Sequence, residues 1–429
     1  MDEKVLNDYE GKKEEAKEWA EERYKDWYER ELTPVEKNII KDYVNDENHR
    51  MEINIYLKDT RGELGEYENY NDEIEKIDNA LKKERTDQSM YVYRRINEQI
   101  FGFDVGSFRL ETGELDNEKL EQFEEQFLKI PSMIMENGYI EASLSGESPN
   151  LSKEPVVYMK LKVPQGTNAV YIGNLHEKDT THDFLIDKGY GIQINDATII
   201  VQKGINYVKV EAELITKKQY LEEIDELNKK INKQLHSDSD LIVLDIDQFI
   251  NSTSKLADDF VKTLNENVDV RLLNLLTKKS IQYTESPNFK IVDYSITKNS
   301  SFKHLQGTVA DNAPGLHLHQ EGTDRSTIIT LKKPPEGIEF SPLKTALHEL
   351  GHAIDDLVYD FISEKNEFIK IFEKEKNFFE EDSHYFSDPR EYFAEMFAYY
   401  HLDKDLNALI QEFAPNTHNF IKEIYTKLP

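Results

Sequence analysis

The sequence predicts an α+β chain of two domains, a mixed α+β half followed by a mainly helical half with a small β-sheet. Three observations carry this. The first half opens on charged helical segments and then passes to segments in which β-branched and aromatic residues alternate between turns. One amphipathic stretch divides the chain, and beyond it helical periodicity is interrupted only between about residues 281 and 332. With 429 residues there is enough chain for two cores of ordinary size. The expected boundaries are 1–215 for the first domain, 216–240 for a helical connector and 241–429 for the second domain.

Taken in order, residues 3–31 read as a strongly charged helical stretch carrying both tryptophans, Trp19 and Trp27. TPVEK opens another helix at Thr33-Pro34, and further polar helices run to about Lys83. Strand-like segments follow: MYVYRRI, GYIEASLS, PVVYMKLKVP, NAVYIG, ATIIVQ and INYVKVEAELI. TKKQYLEEIDELNKKINKQLHSDSD is one amphipathic helix, with Tyr220, Leu221, Ile224, Leu227, Ile231 and Leu235 near helical spacing and a polar HSDSD end. Helical segments around 247–277 lead into the short strand region. There GLHLHQ and STIITLK suit antiparallel strands, one of which could take an extended peptide along its edge. KPPEGIEFSP is then a loop into the next helix. No repeat at solenoid periods, low-complexity tract or Gly-rich phosphate loop is present.

That next helix holds the chemistry, in TALHELGHAIDD. Residues four apart on a helix share a face, so the rings of His348 and His352 can reach one metal ion, with Glu349 beside it to take a proton from attacking water. Two neutral imidazoles and an adjacent carboxylate are what a zinc-dependent peptidase needs. Ser341-Pro342 reads as an N-cap followed by proline at the first helical position. Leu343, Ala346, Leu347, Leu350, Ala353, Ile354 and Leu357 make the helix mostly buried. The competing reading, a core helix whose histidines pair with carboxylates, explains the burial but gives no task to Glu349 in register.

Catalytic zinc takes a third protein ligand. In SDPREYFAEMFAYYH, Glu391 and Glu395 lie four apart on a helix opened by Asp388 and Pro389, with Glu391 as candidate ligand and Glu395 as a carboxylate orienting a ligand histidine. Asp388-Pro-Arg-Glu391 also fits a capping box, in which Glu391 only satisfies the helix end. The ligand reading gains weight because no other downstream segment offers a carboxylate or histidine on so clearly buried a helix. His317, His319, His384 and His401 read as surface or strand histidines.

Composition narrows the alternatives. With no cysteine, the chain can form neither disulfides nor a thiolate metal site, and its ligands must be nitrogen and oxygen. The net charge of −31 repels nucleic acid and anionic lipid and favours basic partners or substrates, although acidic residues equally serve solubility. Apolar runs such as Leu241-Ile-Val-Leu are too short for a membrane span. MDEKVLNDYEGKKEE lacks a signal-peptide core, so either there is no such leader or the sequence starts after it.

HELGHAIDD followed by EYFAEMFAYYH resembles the catalytic domain of the anthrax toxin lethal factor family, which includes the secreted pro-pro endopeptidases. The resemblance runs from about Leu241 to the C-terminus. It implies a zincin-type metalloprotease in which His348, His352 and Glu391 bind Zn2+ and Glu349 is the general base. It also implies an oxyanion-stabilising tyrosine, nearest here Tyr385, at an offset from Glu391 one residue shorter than the family's. Residues 10–215 resemble the ADP-ribosyltransferase domains of binary actin-modifying and vegetative insecticidal toxins, through EAKEWAEERYKDWYERELTPVEKNIIKDYV and YVYRRINEQIFGF, the latter bearing Arg94.

Where that family has Ser-Thr-Ser, the chain has Glu141-Ala142-Ser143, and the paired glutamates fall on Thr181 and Asp183. A threonine cannot act as a carboxylate. The resemblance therefore implies a transferase fold without transferase activity, its degenerate NAD site comprising Arg94, Ser143 and Asp183. Such a domain would serve as scaffold, substrate platform or simple packing partner. The domain order matches lethal factor. It implies a secreted protease delivered to a host cytosol through a translocating pore partner and acting on a protein or peptide, such as a host signalling kinase. The alternatives are an active NAD-using transferase, a pro-pro-type endopeptidase, and a binding module built on two retired enzyme folds.

Overall fold

A computed structural model describes residues 6–65, 68–147, 154–177, 182–237, 240–283, 289–319, 325–332, 341–378, 386 and 388–428. The chain divides into two compact units, Met1–Leu221 with Gln248–Asn251, and Glu222–Asp247 with Ser252–Pro429.

In the first unit, helices occupy Lys13–Arg23, Pro34–Asn45, Glu47–Asp59 and Glu68–Leu81. Thr33 and Glu36 close a reciprocal capping box at the start of the second, which is why TPVEK opens it so clearly. The charged stretch is less continuous than its composition suggests. Asn7 bridges to Met90, and Asp8 pairs with Lys160 at 2.7 Å, so the segment before Lys13 is drawn away from helix. After Arg23 the chain passes into a π-helical turn, Trp27–Glu31, whose Trp27 is buried and donates from Nε1 to the Ala80 carbonyl at 3.0 Å.

The strands of this unit are β1 (Met90–Ile96), β2 (Ser132–Glu136), β3 (Ile140–Ala142), β4 (Val157–Val163), β5 (Ala169–Tyr171), β6 (Phe184–Ile186), β7 (Tyr190–Gln202) and β8 (Ile205–Thr216). The second half contributes β9 (Ile242–Asp245), β10 (Gln248–Phe249), β11 (Phe289–Val292), β12 (Gly315–His317) and β13 (Thr327–Thr330). Among the described residues, one sheet of the first unit runs β1-β4-β8-β7-β2-β10 and a second runs β3-β6-β5. β2 and β6, absent from the sequence reading, are buried along their whole length, and a strand covered on both faces shows no alternation. The helix Asn117–Phe127 was also not expected. It buries Leu120, Phe123 and Phe127 and is capped by Asp116.

The connector helix, Lys217–Gln234, buries Tyr220, Ile224 and Ile231, with Leu235 just beyond it, while Leu221, expected in the apolar stripe, is 53% exposed and lies off the buried face. In the second unit β9, β11 and β13 are parallel neighbours, and β12 adds antiparallel to β13 as an edge strand. Helices Asn251–Asn267, Val270–Ser280, Pro342–Ala353, Asn366–Glu375, Pro389–Leu402, Lys404–Phe413 and Pro415–Thr426 supply most of its regular structure. This is the predicted fold class, an α+β half followed by a mainly helical half with a small sheet. Residues 333–340, within the expected loop before the Pro342 helix, lie outside the described residues.

One buried carboxylate ties the last helix down. Glu375 is 1% exposed and accepts from the Asn416 N–H at 2.9 Å, the Thr417 N–H at 2.9 Å and the Thr417 hydroxyl at 2.8 Å. Glu375→Ala leaves those donors unmatched at a helix N-terminus and is expected to cost roughly 2 kcal/mol in denaturant unfolding.

Candidate metal centre

Two helices build the site. The motif helix, Pro342–Ala353, begins at Ser341 in extended backbone, but the serine makes no side-chain cap bond, so the proline alone supplies the start signal. The glutamate helix, Pro389–Leu402, is capped by Asp388, whose Oδ1 accepts from the N–H groups of Arg390 at 2.8 Å and Glu391 at 3.4 Å. The cap is thus Asp388, and the Glu391 carboxylate turns elsewhere. Its Oε2 lies 3.3 Å from His348 Nε2 and 3.5 Å from His352 Nε2, while the two Nε2 atoms are 3.1 Å apart. Among the described residues, His348, His352 and Glu391 form the group whose ligand atoms converge to within 4.8 Å of one another.

The close approach of the helices makes this possible. A Cβ on Gly351 would stand 2.9 Å from the Cα of Ala394 and 3.2 Å from its carbonyl oxygen, so the backbones pack almost in contact beside His352 and about one turn from His348 and Glu391. Behind the site, Glu395 is 2% exposed and accepts from His348 Nδ1 at 3.1 Å, with its other oxygen 2.7 Å from Lys344 Nζ. The contact occupies Nδ1 and leaves Nε2 facing Glu391. Lys344, which steadies Glu395, had no motif to announce it.

Electrostatics follow from burial and crowding. Burial opposes charge on His348, but the carboxylates of Glu391 and Glu395 outweigh it and push the imidazole up to about 10. Glu391 is desolvated too, yet its bonds to both histidines hold it well below the usual carboxylate range. Glu349, 6% exposed, is raised by burial against the pull of the two histidines. Two imidazole nitrogens and one carboxylate oxygen, with side chains preset by other contacts, fit the donor set of a three-ligand zinc site.

These groups line a cleft of about 810 Å³, whose wall includes Gly315, Leu316 and His317 of β12. His317 is a strand histidine, the last residue of β12, and His319 follows it partly exposed. His317 Nε2 and His319 Nδ1 each lie 3.0 Å from Oδ2 of the buried Asp356. The period of two in GLHLHQ already put both rings on one face, but nothing local named Asp356 as their partner. His401 lies in the core of the glutamate helix, with Nδ1 donating to the Phe397 carbonyl at 2.7 Å and burial lowering it to about 4. Tyr385 and His384 lie outside the described residues.

The transferase-type residues gather in the first unit around β1, β3 and β6. Arg94 is half-buried, its Nε donates to the Glu141 carbonyl at 3.1 Å, and desolvation lowers its pKa. Glu141 pairs with Arg50 at 2.6 Å, Ser143 Oγ accepts from the Ser145 and Gly146 N–H groups, and Asp183 accepts from the Leu144 N–H at 2.9 Å. The structure thus brings Arg94, Ser143 and Asp183 together, while Thr181 lies outside the described residues.

Comparison with known proteins agrees with this layout. A family model for the ADP-ribosyltransferase exoenzyme matches residues 16–217, and one for the N- and C-terminal domains of anthrax toxin lethal factor matches residues 230–424. The chain is lethal factor-like. Its relatives include a Pro-Pro endopeptidase of Clostridioides difficile, 29% identical over 37% of this chain and 71% of that one. Lethal factor of Bacillus anthracis is 24% identical over 87% of this chain, and the chain spans 47% of its length. A solved structure of Plx2a, an ADP-ribosyltransferase toxin from Paenibacillus larvae, superposes with a TM-score of 0.43 and 28% identity, covering 49% of this chain and 100% of that one. In the lethal factor-like half, the converging side chains all fall within the matched residues.

Proposed function

We propose that this chain is a zinc-dependent endopeptidase and the catalytic component of a secreted toxin. The observation that carries the reading is the convergence of His348, His352 and Glu391 with Glu349 next to them on the motif helix. His348 and His352 through Nε2, and Glu391 through Oε2, would hold the ion. Zinc bound there would polarise the scissile carbonyl and bring the pKa of a coordinated water to about 7.

The rest falls to the protein. Glu349 takes a proton from the attacking water and passes it to the leaving amine, a transfer suited to a carboxylate whose proton affinity burial has raised. Glu395 keeps His348 in the tautomer that presents Nε2. Tyr385 remains the candidate donor to the carbonyl oxygen as it gains charge. Among the described residues β12 is an edge strand and lines the cleft, a place where an extended peptide would run, and the net charge of −31 favours a basic one.

The test is a diverse peptide library with zinc-loaded protein, read by mass spectrometry and repeated after chelation. Chelator-sensitive cuts establish the peptidase. Basic residues upstream of the cut favour a host signalling protein such as a kinase as target, and proline pairs favour the pro-pro branch. Absence of metal-dependent cutting, on peptides and on intact proteins, would refute the reading. Glu395→Ala is expected to weaken zinc binding about 10–100-fold in competition titration, because His348 loses the partner that orients it.

For the first unit the reading is a transferase fold without transferase activity. Its carboxylate Glu141 stands where the transferase family has serine, and is spent on Arg50. No NAD consumption above background is expected with actin present, and measurable turnover would revive the transferase alternative.

A further inference from the structure

We propose that His317 and Asp356 are positioning residues for Glu349, acting through the edge strand β12. The inference rests on the peptidase reading and concerns how its base is held. β12 bonds to β13 through alternate residues: the Pro314 carbonyl accepts from the Thr330 N–H at 2.9 Å, and the Leu318 N–H donates to the Ser326 carbonyl at 2.8 Å. Gly315 opposes Ile329 and His317 opposes Thr327, so the backbone groups of Gly315 and His317 point away from β13, toward the other edge of β12. Glu349 occupies that side. A Cβ on Gly315 would stand 2.6 Å from Glu349 Cγ and 2.7 Å from its Oε1, and the His317 N–H faces the carboxylate.

The strand is anchored by its own last side chain. His317 Nδ1 lies 2.9 Å from Thr327 Oγ1, and Nε2 lies 3.0 Å from Asp356 Oδ2. Asp356 is fixed in turn, because its Oδ1 accepts from Arg325 Nη1 at 2.8 Å and Arg325 lies 4.2 Å over the Tyr283 ring. Asp356 belongs to the π-helical turn Ile354–Val358, which directly continues the motif helix. The helix that carries Glu349 therefore also carries the carboxylate that presses β12 against Glu349. Such a closed ring of contacts removes rotamers from a side chain whose task demands one orientation.

Three variants test this in zinc-loaded full-length protein: His317→Phe, which keeps the ring volume without the bonds, Asp356→Asn, and the conservative His317→Gln. Each is measured for zinc content, for kcat and KM on a peptide cut by the parent protein, and for backbone hydrogen exchange over residues 314–319. His317→Phe and Asp356→Asn are expected to keep zinc and KM, to lose about 10–100-fold in kcat and to exchange faster over 314–319, with partial recovery in His317→Gln. Should Asp356→Asn not fold, His317→Phe carries the decision. A rise in KM at unchanged kcat, or unaltered exchange over 314–319, would overturn the proposal. If the parent protein cuts nothing, the peptidase reading fails separately and exchange still decides. Faster exchange of the His317 amide in Glu349→Ala supports the contact, and unchanged exchange removes it.

Discussion

Glu349→Ala is expected to bind zinc as the parent protein does and to lose about 10²–10⁴-fold in peptide cleavage. The two halves of that result have separate physical causes. Zinc is retained because the converging atoms belong to His348, His352 and Glu391, and Glu349 is not among them. Cleavage is lost because alanine leaves no group to accept the proton of the attacking water, and the two nearest carboxylates of the glutamate helix, Glu391 and Glu395, are already engaged. Glu391 is directed at both histidines, and Glu395 is divided between His348 and Lys344. The measurement is metal content by elemental analysis beside kcat/KM on a library-derived peptide. Zinc loss in the variant would make Glu349 part of the metal shell. Retained cleavage would move the base elsewhere in the cleft.

How far the site could be read in advance depended on the distance over which each part is specified. The pair His348 and His352 was legible because a helix alone puts residues four apart in one column. Glu391 was only half legible. Its local sequence allowed a cap or a ligand, and the choice turns on Asp388 taking the cap while Gly351 lets the glutamate helix approach the motif helix. His317 and Asp356, separated by 39 residues, were illegible as a pair, since their meeting requires β12 to lie along the turn that ends the motif helix. The same holds for the fold. Strands half exposed to solvent announced themselves by alternation, whereas the fully buried β2 did not. Local patterns therefore specified individual elements, and the chemistry that needs two elements was set by packing.

Gly351 offers the sharpest test of that last point, because it is neither a ligand nor a base. Its φ is not positive, so alanine meets no backbone objection, and the whole effect must come from space. The new methyl would lie 2.9 Å from the Ala394 Cα, 3.2 Å from the Ala394 carbonyl oxygen and 3.2 Å from the Phe397 Cβ, and none of these is the end of a flexible side chain. The two helices must move apart by some tenths of an ångström, at a cost of about 1–3 kcal/mol in stability. The same movement draws Glu391 away from His348 and His352, which share its Oε2 at 3.3 and 3.5 Å. Gly351→Ala is therefore expected to lower zinc affinity about 10–100-fold, the scale found when a ligand loses its support, although every ligand and Glu349 are still present. Chelator competition and denaturant unfolding read the two effects independently. A variant destabilised but normal in zinc affinity would show that the glutamate helix yields without moving Glu391. A fully normal variant would refute the close helix contact as the feature that assembles the site.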